Sequence, residues 1–180
     1  MDLKAHAFSS LNLARRLTTS LLDDFGPKSE WLVQSHPGTN HALWITGHLA
    51  LADNLFASKF RPEVDHKPEG WEQLFWFGSQ VTDEAERYPE PDKVRQYFEG
   101  RREILISVLK ELSEAELSQP APPVDARSPI AGAPNIGQAF FFIAYHEGMH
   151  SGQLSVIRRG LGHQPLYRPQ NVSASKTPGA

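Results

Sequence analysis

Residues 135–160 read NIGQAFFFIAYHEGMHSGQLSVIRRG. Arg158 and Arg159 fall in the final turn, where cations complement the helix dipole, and Gly160 stands where a helix end is capped, so the spacing predicts one long helix. On it His146 and His150 lie one turn apart, and imidazoles at i and i+4 can reach a common ion. They are expected to face inward with Phe142, Ile143, Met149, Gln153 and Ile157.

The same five residues, His146-Glu147-Gly148-Met149-His150, spell the H-E-x-x-H of zinc metalloproteases. Catalytic zinc takes three protein ligands and keeps one position open, so a protease must find its third ligand downstream. No Asp or Glu follows Glu147, and Gln153 and Val156 stand where the longer motif needs glycine and histidine. Neither protease pattern is completed, and no strand pattern accompanies it.

Three further helices are expected upstream. Residues 3–25 carry Leu3, Ala7, Leu11, Ala14, Leu17 and Leu21 at three-to-four-residue spacing and end at Gly26-Pro27. Residues 41–60, HALWITGHLALADNLFASKF, place Trp44, Ile45, His48, Ala52, Leu55 and Lys59 on one side. From about Asp92 the third helix buries Val94, Phe98, Ile104, Leu105, Val108 and Leu112. Residues 66–83 read as an irregular connection with one short helix, whose Trp71, Phe75, Trp76 and Phe77 are placed to line a cleft. Residues 119–134 carry five prolines and are expected to be a loop. Four long helices without strand patterns or repeats predict an all-α, four-helix bundle over residues 1–165, followed by a polar tail at 166–180.

A chain of 180 residues suits one domain, and a formal charge of -3 with 39% hydrophobic residues points to small-molecule chemistry rather than nucleic acid. There is no cysteine, which removes disulfides, thiolate ligands and a cysteine nucleophile, so any thiol must arrive as a cosubstrate. MDLKAHAFSS lacks the apolar run of a signal peptide and AFFFIAY is too short to span a bilayer, so a cytoplasmic protein without membrane contact is expected.

A third metal ligand must lie upstream, among His6, His36, His41, His48 and His66. His48 sits mid-helix in an apolar stripe, where a buried, unpartnered imidazole is costly; three such groups aimed at one interior are explained by a shared metal. His41, near the helix start, is the reserve and is expected to be exposed. His6 and His66 read as ordinary surface or loop residues, and His163 follows the last helix. An all-histidine site is expected to lose its metal toward and below about pH 6, because free imidazole titrates near 6.5.

Two segments carry a family resemblance: NHALWITGHLA, residues 40–50, with its Trp44 four residues before His48, and HEGMHSGQLSVIRRGLG, residues 146–162. They resemble the DinB/YfiT-like superfamily of metal-binding four-helix bundles, over about residues 3 to 165. The resemblance implies His48, His146 and His150 as a three-histidine site for a divalent metal, a homodimer, and a variable position at Glu147. Members with known activity include bacillithiol S-transferases and maleylpyruvate isomerase. The expected function is therefore a metal-dependent enzyme of the thiol S-transferase kind with zinc or nickel. The alternatives are a stress-associated metal-binding protein without turnover, or a hydrolase using Glu147 as general base. Gln153 is expected to orient a metal-bound water or a ligand histidine, and Tyr145 to help shape a pocket. Glu147, turned about 100° from His146, is free on this reading to be a solvated surface group.

Overall fold

The computed structural model describes residues 2–124, 126 and 130–167, so residues 168–180 of the expected tail lie outside the described residues. The chain forms α1 (Leu3–Leu22), α2 (Lys28–Trp31), α3 (Ala42–Ser58), α4 (Trp71–Phe75), α5 (Pro91–Glu111), α6 (Glu114–Leu117) and α7 (Ile136–Gly160). Single 3-10 turns lie at Pro62–Val64 and Ala85–Arg87, and no strand occurs among the described residues. Among the described residues no helix is long and apolar enough to cross a membrane.

Three of the long helices start at a side-chain cap, and α5 starts at a proline. The Asp2 carboxylate accepts from Ala5 N–H at 2.7 Å, and the Asn135 side chain accepts from Gln138 N–H at 2.8 Å, each satisfying an amide the first turn leaves free. Pro91 opens α5, where its missing N–H costs nothing. α1 stops at Leu22 rather than near residue 25, because Asp23 and Asp24 would set two negative charges at the negative end of the helix dipole. α7 includes Gly160; its cap is Leu161, and Gly162 at φ 93° lets His163 and Gly162 N–H turn back to the Arg158 and Arg159 carbonyls.

α1 lies along α7 and α3 along α5, with further contacts between α3 and α7 and between α1 and α5. α3 is the central element. Fourteen of its seventeen residues are buried, so the one-sided stripe expected for it is replaced by burial almost all round, as an apolar helix of this kind requires. Leu55 and, just past the helix end, Lys59, both expected on the inner side, are exposed, and Asp53, Asn54, Phe56 and Ala57 point inward instead.

The core falls into two apolar halves. One gathers Leu21, Trp31, Leu43, Ile45, Phe75, Phe98, Leu154 and Ile157; the other gathers Leu11, Phe56, Leu105, Leu109, Phe140 and Ile143. Between them each long helix contributes one buried or nearly buried charge: Arg15, Asp53, Arg102 and Glu147. The connection after α3 is anchored by Gly47, where a Cβ would stand 2.5 Å from the Phe75 ring, so the absence of a side chain is what lets α4 close on α3.

Candidate metal centre

His48 comes from the middle of α3, His146 and His150 from successive turns of α7, and packing of α3 on α7 brings their rings together. His48 Nε2 lies 3.2 Å from His146 Nε2, and His150 Nε2 lies 3.1 Å from the same atom. All three ligand atoms fall within 4.8 Å of one another. The imidazoles are 1%, 5% and 8% exposed, so the cluster is almost withdrawn from water.

The outer nitrogens settle the protonation. His48 Nδ1 donates to the carbonyl oxygen of Phe75 at 3.0 Å, and His150 Nδ1 donates to Gln153 Oε1 at 2.9 Å. In the neutral rings both Nε2 atoms then carry lone pairs, and both face His146 Nε2. His146 has at most one proton to offer there, so at least one contact sets two lone pairs against each other. A cation removes that conflict. A metal with bonds of about 2.0–2.1 Å to imidazole holds neighbouring nitrogens about 3.0–3.4 Å apart, so the contacts of His146 with His48 and His150 suit such an ion. Burial, then His150 and His146, lowers His48 to about 3, and burial followed by His150 lowers His146 to about 3. Burial also lowers His150, so all three stay in the neutral form that can ligate.

An aromatic shell holds His48. Trp44 stacks on its ring at 4.7 Å and 12°, and Trp44 Nε1–H donates to Ser79 Oγ at 2.8 Å. Phe77 meets it edge-on at 5.0 Å and Trp76 at 5.7 Å. Of the aromatics expected to line a cleft, Trp76 and Phe77 border the cluster, whereas Trp71 and Phe75 are buried in the core. Met149, 48% exposed, and Gln153, also exposed, face solvent rather than inward as expected, and Tyr145, expected to help shape a pocket, is 68% exposed. Tyr145 and Met149 lie on the side of α7 opposite its contacts with α1 and α3, which a long helix with two buried flanks leaves free.

His41 is the other correction. It is 0% exposed, because the helix start it caps is packed beneath Tyr88, whose ring it meets edge-on at 4.7 Å. Its Nδ1 accepts from Trp44 N–H at 3.0 Å, and it does not join the cluster. His6, His36 and His66 are exposed, as expected for His6 and His66.

Glu147 is not a solvated group either: it is 0% exposed. Its carboxylate lies 3.0 Å from Arg15 Nε and 2.7 Å from Arg102 Nη2, and both guanidiniums also reach Asp53 at 2.8 Å. The four charges make a closed, neutral ring. Asp53 receives aligned hydrogen bonds from Arg15 Nη2 and from Arg102 Nε and Nη2. Glu147 sits at ion-pair distance without such alignment. Burial and then Arg102 lower Arg15 to about 10 against the pull of Glu147; for Arg102, burial is outweighed by Asp53 and Glu147, which raise it. Both remain charged at neutral pH. Each guanidinium also crosses to a neighbouring backbone: Arg15 to the Phe98 carbonyl and Arg102 to the Leu11 carbonyl, both at 3.0 Å. The pattern was latent in the sequence, since Arg102 falls at a buried position of the α5 stripe and Asp53 lies within an otherwise apolar helix.

Compared with known protein families, residues 10–154 match the DinB superfamily. The chain belongs to the DinB superfamily. The matched span runs from within α1 to Leu154 in α7, so it contains every histidine of the cluster and every member of the charge ring. Among curated proteins no match is found.

Proposed function

We propose that the protein is a metal-dependent enzyme of the low-molecular-weight-thiol S-transferase kind, with His48, His146 and His150 holding a divalent ion, zinc or nickel, in the interior of a four-helix bundle. The observation that carries this reading is the convergence of imidazole Nε2 atoms at 3.1 and 3.2 Å with the outer nitrogens of His48 and His150 held by Phe75 and Gln153. No fourth histidine or carboxylate joins the group among the described residues, which suits a centre with open positions rather than a closed structural one. When bound, such an ion lowers the pKa of a coordinated thiol and supplies a nucleophile at neutral pH.

The chain's own side chains prepare that site. Phe75 and Gln153 fix the tautomers and ring planes of two ligands, and such partners raise ligand basicity. Trp44, Trp76 and Phe77 exclude water around His48 and offer an apolar wall to a substrate. The cysteine-free sequence leaves the thiol to be brought in, which a reducing cytoplasm supplies. A homodimer belongs to the same proposal: Tyr145, Met149 and Val156 form an exposed apolar stripe on α7 for a second copy to cover.

Two other readings remain to be tested against this one. The near-complete burial of the imidazoles is the observation on the side of a stress-associated metal-binding protein without turnover. Hydrolysis with Glu147 as general base is disfavoured, because both carboxylate oxygens face guanidiniums. The deciding experiment is metal analysis of protein purified without chelators, followed by turnover of a generic electrophile with a panel of small thiols. Metal-dependent consumption of thiol supports the transferase. One bound metal with no turnover favours the non-catalytic protein, and turnover with water alone favours the hydrolase.

A further inference from the structure

The ring of Arg15, Asp53, Arg102 and Glu147 has an arrangement that stability alone does not call for. Buried ion pairs lose solvation on folding, and well-packed apolar side chains of similar volume often serve as well or better. What such a layer can specify is one relative placement of its helices. Here the two acids lie on α3 and α7, the helices that carry the clustered histidines, and the two arginines on α1 and α5, which carry none of them. Asp53 and Glu147 are joined only through the guanidiniums, each of which touches both.

Glu147 directly follows His146 and precedes His150 by three residues, so any rotation of α7 that moved the carboxylate off the arginines would turn both imidazoles by the same angle. Asp53 is likewise carried on the helix of its histidine, five residues after His48 along α3. The Asp53 end is tied by aligned hydrogen bonds, which hold the guanidiniums in place, and the Glu147 end is then set by position between two cations.

We propose that Glu147, through Arg15 and Arg102, is a positioning residue of the metal centre: the ring locks the rotation of α7 against α3 at which the three Nε2 atoms meet. This rests on the metal-centre reading above. It gives Glu147 a role in the site without contact to the reacting atoms.

The test compares wild type with Glu147→Gln and with Thr18→Val, which removes the buried Thr18 Oγ1 to Ser151 Oγ contact of 2.9 Å on the α1–α7 interface and leaves the ring intact. Zn2+ affinity is measured by chelator competition, the Co2+-loaded absorption spectrum reports ligand geometry, and thermal unfolding gives stability. Glu147→Gln is expected to lose about tenfold or more in Zn2+ affinity, the scale for groups that orient ligands, with a changed Co2+ spectrum. Thr18→Val is expected to unfold at lower temperature with affinity within about twofold of wild type and an unchanged spectrum. A folded Glu147→Gln with wild-type affinity and spectrum overturns the proposal, as does an equal loss of affinity in Thr18→Val. Should Glu147→Gln not fold, Glu147→Asp, which keeps the charge but withdraws it by one methylene, is read in the same way; if neither folds, the ring serves the fold alone and the proposal fails. A wild type that binds no Zn2+ or Co2+ removes the metal centre itself, an outcome distinct from all of these.

Discussion

His48 Nδ1 donates to the carbonyl oxygen of Phe75, 27 residues away, at 3.0 Å. That bond exists only because Gly47, the residue before the histidine, lets the Phe75 ring lie against the α3 backbone, where a Cβ would come within 2.5 Å of it. One short approach thus sets both the docking of α4 and the orientation of His48.

Gly47→Ala is therefore expected to displace Phe75 and loosen His48 together. Overpacking of this kind costs about 1–3 kcal/mol of stability, and the disturbed ligand should lower Zn2+ affinity by about tenfold or more. Chemical unfolding and chelator competition on the same variant check it. Unchanged affinity would show that the Phe75 carbonyl does not orient the ligand.

Replacing His48, His146 or His150 by alanine should each abolish stoichiometric metal binding, whereas His41→Ala should keep the metal and lose stability, since its ring caps α3 outside the cluster. Elemental analysis of the four variants separates them. Metal retained in His48→Ala and lost in His41→Ala would reverse the assignment.

Gln153→Leu should weaken Zn2+ binding by about tenfold, because the amide oxygen that accepts from His150 Nδ1 is removed while the exposed position tolerates the substitution. Thermal unfolding of the metal-free variant close to that of wild type would confirm that the loss belongs to the site. An affinity equal to that of wild type would leave Gln153 without a role there.

The expected loss of metal toward and below about pH 6 takes free imidazole as its reference, and burial moves these rings below it. His48 and His146 are lowered to about 3, so within the folded protein protons compete for the ligands well below the range of free imidazole. Zn2+ affinity should hold from pH 7.5 to about 5 and fall toward 3. Titration by a pH-insensitive competition assay on folded protein tests this; a midpoint near 6.5 would mean that the imidazoles are hydrated rather than buried.

His41 gives a separate pH dependence of stability. Burial lowers it from 6.5 to about 4 in the folded chain, so the unfolded state binds its proton first; the stability it contributes is complete above about 6.5 and lost as pH falls toward about 4. Each such group gives a slope of about 1.4 kcal/mol per pH unit inside that window. In chelator, His41→Asn keeps a capping side chain without the titration, and should lose about 2 kcal/mol less than wild type between pH 7.5 and 5. Parallel urea unfolding curves at the two pH values decide it, and identical pH dependence would exclude His41.

The helical stripes of α1 and α5 were legible in sequence because each has one polar side: Ala7, Leu11, Ala14 and Leu21, or Val94, Phe98, Leu105 and Val108, repeat at the period of a half-buried helix. The same periodicity selected His48, His146 and His150, since an imidazole at a core position needs a partner. α3 differs. Eleven of its seventeen residues are apolar and fourteen are buried, so the period places His48 at a core position but leaves the other directions open, and only packing against neighbouring helices decided that Leu55 would face water and Asp53 the interior. His41 is buried for a related reason: a helix start is exposed unless another segment covers it, and Thr82 and Tyr88, remote in sequence, do so. Glu147 is the sharpest case. Its position one residue past His146 was fixed by the chain, but whether that direction met solvent, metal or cations depended on Arg15 and Arg102, which come from two other helices. Local spacing determines which groups share a helix face; what that face meets is set by long-range packing, where the free energy of burying a charge depends on partners that no local pattern specifies.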